Sequence, residues 1–521
     1  MRKNNEIYNK NEQFYIMKID IEEEGMKIPI VDYEVYHPLK GENLQKLDLE
    51  QCKDTNVDIS IPVKLSHELY KHNASDEYYN NKCIGTTSDN GTDICLKDRR
   101  NDFIEQNLTL CEENCILIDY NYETSRAKCN CQIKINLPPV DKVKIDKKEI
   151  LKTFTDVKGF FTNIDVVKCY KTVFKKKIIM KNLGFLISVG VLLILIISFF
   201  LFYCKFFKKL KLQIFTIVLA IKNKYKSKKE KLPLNKKFNI PSKNSLRFKR
   251  APKSNTHRIK ESMAKKSEHL KNLPTSGNIF IKQEYKKILS YNDSEKNELS
   301  YEKAIKHDKR TFLQYYYSLL KIKNLFLFAF FPNRDYNSRI IKIFLFFFSF
   351  FTQLTINALY FTDDTMHKIY IDHGKFDFLY NIPQTVISSL ISYGLDSLIG
   401  YLSLSEQDVI LLKNAKKKKN SHKVDKIQKI ILSKLSIKFA FFFLVSFIVV
   451  FGFGFYVTCF CGVYKNTQIH LITDTGISFG FSLVTPFIIN LFPGMLRIPS
   501  LRAKNKNRKL MYKLSTYFDL I

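Results

Sequence analysis

One carboxylate stands inside an otherwise apolar run. Asp396 lies in SYGLDSLIG, within a stretch from 378 to 405 that holds no other charged residue. An ionised Asp at the centre of a bilayer costs about 3 kcal/mol, so such a residue faces protein or water and is a candidate functional group by default. The plain alternative is a hydrated position near the inner interface. A second concentration of reactive types is TDDTMHKIYIDHGKFD, which gathers Asp363, Asp364, His367, Asp372, His373 and Asp377. Carboxylates and imidazoles suit a divalent cation. Their spacing matches no metal loop, and a short hydrated loop is the ordinary reading.

The cysteines form the third group. Eight of the eleven lie in residues 1–181: Cys52, Cys83, Cys95, Cys111, Cys115, Cys129, Cys131 and Cys169. An even, clustered set in an extracellular context reads as disulfides whose pairing the sequence does not fix. The close pairs CEENC and CNC could instead hold zinc. Cys459 and Cys461 (CFC) would bring the paired set to ten, and Cys204 is a palmitoylation candidate. Asn73, Asn90 and Asn107 each open an Asn-X-Ser/Thr sequon. The sequence contains no GxxxxGK[ST], GxGxxG or HExxH, and its one GxSxG match, GISFG at 476–480, falls inside an apolar run rather than at a strand-to-helix turn, so no catalytic residue, cofactor or enzyme activity is expected.

What positions these groups is set by the apolar runs. A membrane helix needs about 20 apolar residues to cross a core about 30 Å thick. Five runs qualify, at 182–204, 343–362, 378–405, 439–464 and 475–496. The ten clean residues of NLFLFAFFPN are too few, and the region near 312–332 reads as an amphipathic helix lying in the interface. Pro383, Pro486 and Pro493 should kink or end their helices.

The chain carries 84 Lys and Arg against 50 Asp and Glu, a net charge of +34, and that excess is segregated. Residues 1–181 hold 29 basic and 30 acidic residues. Residues 205–342, 406–438 and 497–521 together hold 52 basic and 14 acidic residues. The loops at 363–377 and 465–474 hold two and one Lys. Lysine-rich short loops mark the cytoplasmic side. The domain at 1–181 and the loops at 363–377 and 465–474 are therefore expected outside. The loops at 205–342 and 406–438 and the tail at 497–521 are expected inside. Lys222 to Lys237 and Lys413 to Lys423 read as solvated basic segments that favour anionic inner-leaflet lipid. Nucleic acid is not an expected partner, because the chain is tethered by spans. The stretch MRKNNEIYNKNEQFYIMKID has no apolar core and is not a signal peptide, so the chain is expected to be part of a longer surface protein.

The phrases NALYFTDDTMHKIYIDHGKFDF, LSLSEQDVILLK, FCGVYKNTQIHLITDTGISFG and LFPGMLRIPSLR resemble the membrane module of large protist surface proteins with cysteine-rich ectodomains. The layout is also similar to the front half of polycystin-1-like proteins. It departs from them in a basic inner loop without alternating strands and in ending after five spans, so a pore does not carry over. The expected fold is a mainly α-helical membrane protein with five transmembrane helices, a small disulfide-rich N-terminal ectodomain and disordered basic inner loops. The expected role is recognition, adhesion or reception at the plasma membrane. The alternative is a non-pore subunit or regulator of a polycystin-like channel, with a membrane-protein partner.

Overall fold

Alternation builds the N-terminal sheets. In NVDISIP, Val57, Ile59 and Ile61 point to one face while Asp58 and Ser60 point to the other, the period of two that a half-buried strand needs. The computed structural model describes residues 14–21, 28–38, 44–47, 49, 52, 54–112, 115–133, 163–229, 284–285, 287–375, 378–414, 421–502 and 508–520. The chain divides into two units. One comprises Met1–Phe185, Ala358–Tyr380 and Tyr456–Leu471, and the other Leu186–Asn357, Asn381–Phe455 and Ile472–Ile521.

The described residues of the first unit form three antiparallel sheets. Strands β1 (Tyr15–Ile21), β2 (Ile30–Pro38) and β3 (Leu44–Lys46) pair in that order. Strands β4 (Asn56–Pro62), β5 (Thr86–Thr87), β6 (Asp93–Ile94), β7 (Cys115–Asn121) and β8 (Arg126–Gln132) form a β4-β8-β7 sheet and a β5-β6 ribbon. Ile59, Ile61, Val63, Leu110, Tyr120 and Ala127 make a small core. Two disulfides, Cys111–Cys129 and Cys115–Cys131, fasten β8 into it, and a third joins Cys83 to Cys169. Cross-links supplement a core of this size. The CEENC and CNC cysteines are thus bonded in pairs, leaving no thiolates there for zinc.

Cys52, Cys95, Cys459 and Cys461 are free thiols, which corrects the expectation that they pair. Cys459 and Cys461 lie on one helix, where residues two apart point in nearly opposite directions and cannot bridge. The Cys95 thiol is occupied otherwise, donating to Asp98 Oδ2 at 2.9 Å at the start of helix α1 (Leu96–Glu105).

Among the described residues five helices are long and apolar enough to cross a bilayer: Leu183–Asn223, Arg339–Tyr360, Thr385–Ser403, Val424–Val463 and Thr467–Arg502. They are built from α2 (Leu183–Leu201) and α3 (Phe207–Lys229), joined through a π-helical turn at Phe202–Phe206. Between them and the next long apolar helix come α4 (Asp293–Asn297), α5 (Tyr301–His307), α6 (Phe312–Lys323) and α7 (Leu325–Phe330). The remaining long apolar helices are α8 (Arg339–Tyr360), α10 (Phe378–Ser403), α12 (Ser421–Val463) and α13 (Thr467–Ile489) with its extension α14 (Leu491–Arg502). Short helices α9 (Asp363–Ile371) and α11 (Glu406–Asn414) fall between, and α15 (Lys509–Leu520) closes the chain. Pro486 lies near the end of α13, and Pro493 falls in the first turn of α14, where its missing N–H removes no helical bond.

Three expectations for the inner segments change. The loop at 205–342, expected to be disordered apart from one interfacial helix, holds α3 as far as Lys229 and α4 to α7 beyond it, with Asp308 and Arg310 in a buried polar network that reaches Arg497 of α14. The single helix expected near 312–332 is two. Asn324 ends α6, its N–H donating to Leu320 O at 2.9 Å, and caps α7, its Oδ1 accepting from Leu327 N at 2.9 Å. Of the two polybasic blocks, Lys222–Lys229 belong to α3 and Lys413 is buried 2.5 Å from Glu295 Oε2, which corrects the solvated reading for those residues, while 230–237 and 415–420 lie outside the described residues.

Small residues set close approaches within the first unit. A side chain at Gly184 would meet Val457 O and Cys461 Sγ at 2.8 Å, and one at Gly462 would overlap Val173.

Candidate functional site

Helix α8 owes its role to a polar row inside an aromatic helix. Phe344, Phe348 and Phe351 are buried, Phe346 and Phe350 meet Phe479 of α13 edge-on at 5.4 and 5.3 Å, and Phe344 meets Phe442 of α12. Ser349, Gln353 and Asn357 recur every four residues, so they share a face. Each reaches a polar partner on a neighbouring helix. The Ser349 hydroxyl donates to Asp396 Oδ2 on α10. Gln353 Nε2 donates to Ser389 Oγ at 3.3 Å. Asn357 Nδ2 donates to Thr475 Oγ1 at 3.0 Å and to Ser478 Oγ at 3.3 Å on α13.

The result is a seam of side-chain hydrogen bonds running along α8 from Asp396 to Thr475. Two of its acceptor atoms, Asp396 Oδ1 and Asn357 Oδ1, lack partners among the described residues, as do both carboxylate oxygens of the adjoining Asp474, which is fully buried. Buried polar groups are ordinarily hydrogen-bonded, so such orphans mark sites where something further is held.

Asp396, singled out from the sequence, is thus brought into the seam. Asp474 escaped notice there. It was counted as the last residue of the loop at 465–474, because a charge-free run starts only at Thr475. The structure starts the helix at Thr467, which puts Asp474 two turns inside it. The available signal was the Asn466–Thr467 pair, a helix-start signature.

A second polar cluster lies in the first unit. Asp93 is buried and accepts four hydrogen bonds, from Asn466 N (2.8 Å), Asn466 Nδ2 (3.1 Å), Thr467 N (2.8 Å) and Thr467 Oγ1 (2.9 Å). It caps the N-terminus of α13 from another part of the chain. Burial nevertheless raises its carboxyl above the ordinary range, opposed by those bonds. Asp98 accepts from Cys95 N at 3.2 Å and is joined to His367 Nδ1. Lys97 pairs with Asp364 at 2.5 Å and Lys82 with Asp363 at 3.2 Å. Burial, then the nearby Asp98 and Glu105 charges, push Asp102 up to about 6. Burial, then Asp98 and Asp363, push the Cys95 thiol up.

The groups of TDDTMHKIYIDHGKFD are therefore distributed among separate partners. Asp372 pairs with Lys368 at 3.5 Å and His373 Nδ1 lies 2.8 Å from Asn90 Nδ2. Asp377 lies outside the described residues. Among the described residues no three His, Cys, Asp or Glu side chains are placed to hold a metal ion. Of the sequon residues, Asn90 is exposed while Asn73 and Asn107 are half-buried. Cys204 is exposed on the π-helical turn.

No protein-family model, curated protein or solved structure matches this chain.

Proposed function

We propose that this chain is a multi-pass cell-surface protein with a recognition, adhesion or receptor-like role. Its disulfide-bonded N-terminal domain is outside, and its lysine-rich segments and C-terminus are in the cytosol. The observation that carries this reading is the capping of α13 by Asp93: the domain that would meet a ligand holds the first turn of a membrane-length helix. The grouping of residues supports it. The segments 363–377 and 465–471, poor in lysine, fall in one unit with the N-terminal domain, and the lysine-rich segments fall in the other. A cleft of about 660 Å³ lined by Lys64, His67, Glu68, Tyr120 and Tyr122 offers a polar and aromatic surface for such a ligand. Lys205, Lys208, Lys209 and Lys211, just past the first apolar helix, suit anionic inner-leaflet lipid.

The test is protease and glycosidase treatment of intact cells. The expected outcome is a glycosidase-sensitive shift removed by Asn90→Gln and the two companion substitutions, with digestion of the N-terminal domain and protection of the C-terminus. A protected, unglycosylated N-terminal domain sinks the reading. Within the same frame, Asp93→Ala should weaken the start of α13 by about 2 kcal/mol, the loss of a buried, charge-assisted cap. Faster amide exchange at Asn466 and Thr467 would report it.

The Ser349–Asp396 bond favours a second reading, a non-pore subunit or regulator of an ion channel. Asp396→Asn should then abolish assembly with a channel partner or reduce its current, and unchanged behaviour counts against it.

A further inference from the structure

We propose that Asp474 is the counter-charge of a sodium ion bound between α8 and α13. The argument starts from charge. Asp474 is 0% exposed, neither of its oxygens has a hydrogen-bond partner, and it belongs to no ion pair among the described residues. A carboxylate in that position is tolerated when it is paired with a cation or protonated.

The neighbouring chemistry favours a cation. Asp474 and Ser478 lie one turn apart on the same face of α13, with Thr475 beside them. Asn357 gives its amide hydrogens to the Thr475 and Ser478 hydroxyls, an arrangement that leaves its Oδ1, fully buried and unpartnered, as an acceptor. The group therefore offers carboxylate, amide and hydroxyl oxygens and no nitrogen or sulfur ligand, a donor set for a hard cation. One carboxylate neutralises one positive charge. A divalent ion would leave a net charge in a low-dielectric interior. Asn357 lies three residues from the end of α8 and Asp474 seven from the start of α13, about 5 and 10 Å of helix. This inference stands whether or not the N-terminal domain is a receptor.

The experiment uses the full chain in nanodiscs, with sodium exchanged for choline at constant ionic strength. Wild type should show a thermal midpoint that rises and saturates with sodium, and should bind radiolabelled sodium. Asp474→Asn should abolish both responses and, in sodium-free buffer, unfold at or above the wild-type temperature, because it removes an unpaired buried charge. Ser478→Ala keeps the carboxylate and removes one oxygen, so its half-effect sodium concentration should rise about tenfold, the equivalent of one lost contact. A midpoint that follows pH but not sodium means that Asp474 holds a proton and overturns the proposal. So does a sodium response that survives Asp474→Asn.

Discussion

Asp308→Ala should destabilise the folded chain by about 3–5 kcal/mol, the cost of leaving buried charges uncompensated. The Asp308 side chain is fully enclosed and accepts from Arg310 Nε and Nη2, each at 2.8 Å, and from Arg497 Nη2 at 3.4 Å. Arg310 is fixed further by Asn297 Oδ1 and Ser318 Oγ, both at 2.8 Å. The guanidinium of Arg497 lies 5.1 Å from the Tyr315 ring and 4.7 Å from the Tyr512 ring, and it donates to Lys296 O and Asn297 O. Removing the carboxylate leaves two guanidinium groups in this enclosure without their shared anion. Thermal unfolding of the purified chain in nanodiscs measures the loss. Asp308→Asn, which keeps an acceptor, should lose less.

The same residue gives a pH dependence. Burial opposes ionisation of Asp308, but the hydrogen bonds and charge of Arg310, with the charge of Arg497, outweigh it and hold the carboxyl below its ordinary value of 3.8. A depressed carboxyl contributes stability that is fully present above the unfolded-state value and is lost as pH falls through the lower folded value. Wild type should therefore lose stability more steeply than Asp308→Asn as the solution is acidified below about pH 4.

The second large effect concerns the Cys83–Cys169 disulfide. It closes a separation of 86 residues, against 18 and 16 for the other two. In the chain-entropy picture a loop of that length stabilises by about 4–5 kcal/mol, against about 3 for the short ones. The double variant Cys83→Ser, Cys169→Ser should accordingly lower the unfolding midpoint of the first unit more than Cys111→Ser, Cys129→Ser does. Differential scanning of the two variants, with non-reducing peptide mapping of the parent, decides the order. Equal losses would show that native packing, not loop length, sets the contribution.

How much of this was legible beforehand depends on the range of the forces involved. Five helices of membrane length could be read directly, because apolar length is a local property and the charges that bound it are adjacent in sequence. Asp396 could be noticed for the same reason, as the one charge in a local apolar run. Its partner Ser349 could not, because that contact joins residues 47 apart. The limits of the last span were misjudged for an instructive reason. A charge-free window stops at a carboxylate, whereas the helix continues past Asp474 to a start at Thr467, held by Asp93 some 370 residues earlier.

The cysteines divide in the same way. Their number and clustering were on the surface of the sequence, but which six are bonded depends on the register that places Cys115 opposite Cys131 and on the helix that points Cys459 and Cys461 apart. The basic segment after the first apolar helix is the clearest case. Its charge alone suggested a disordered basic loop, solvated at Lys222 to Lys237. The tertiary structure carries α3 on to Lys229 and, further along, places Asp308 against Arg310 and against Arg497, 189 residues away, so that one buried carboxylate is shared by two guanidinium groups. Sequence by itself determined where apolar surface and positive charge lie along the chain. Only the fold decided which buried polar groups meet, since each such meeting requires two distant segments to be brought within about 3 Å, the reach of a hydrogen bond.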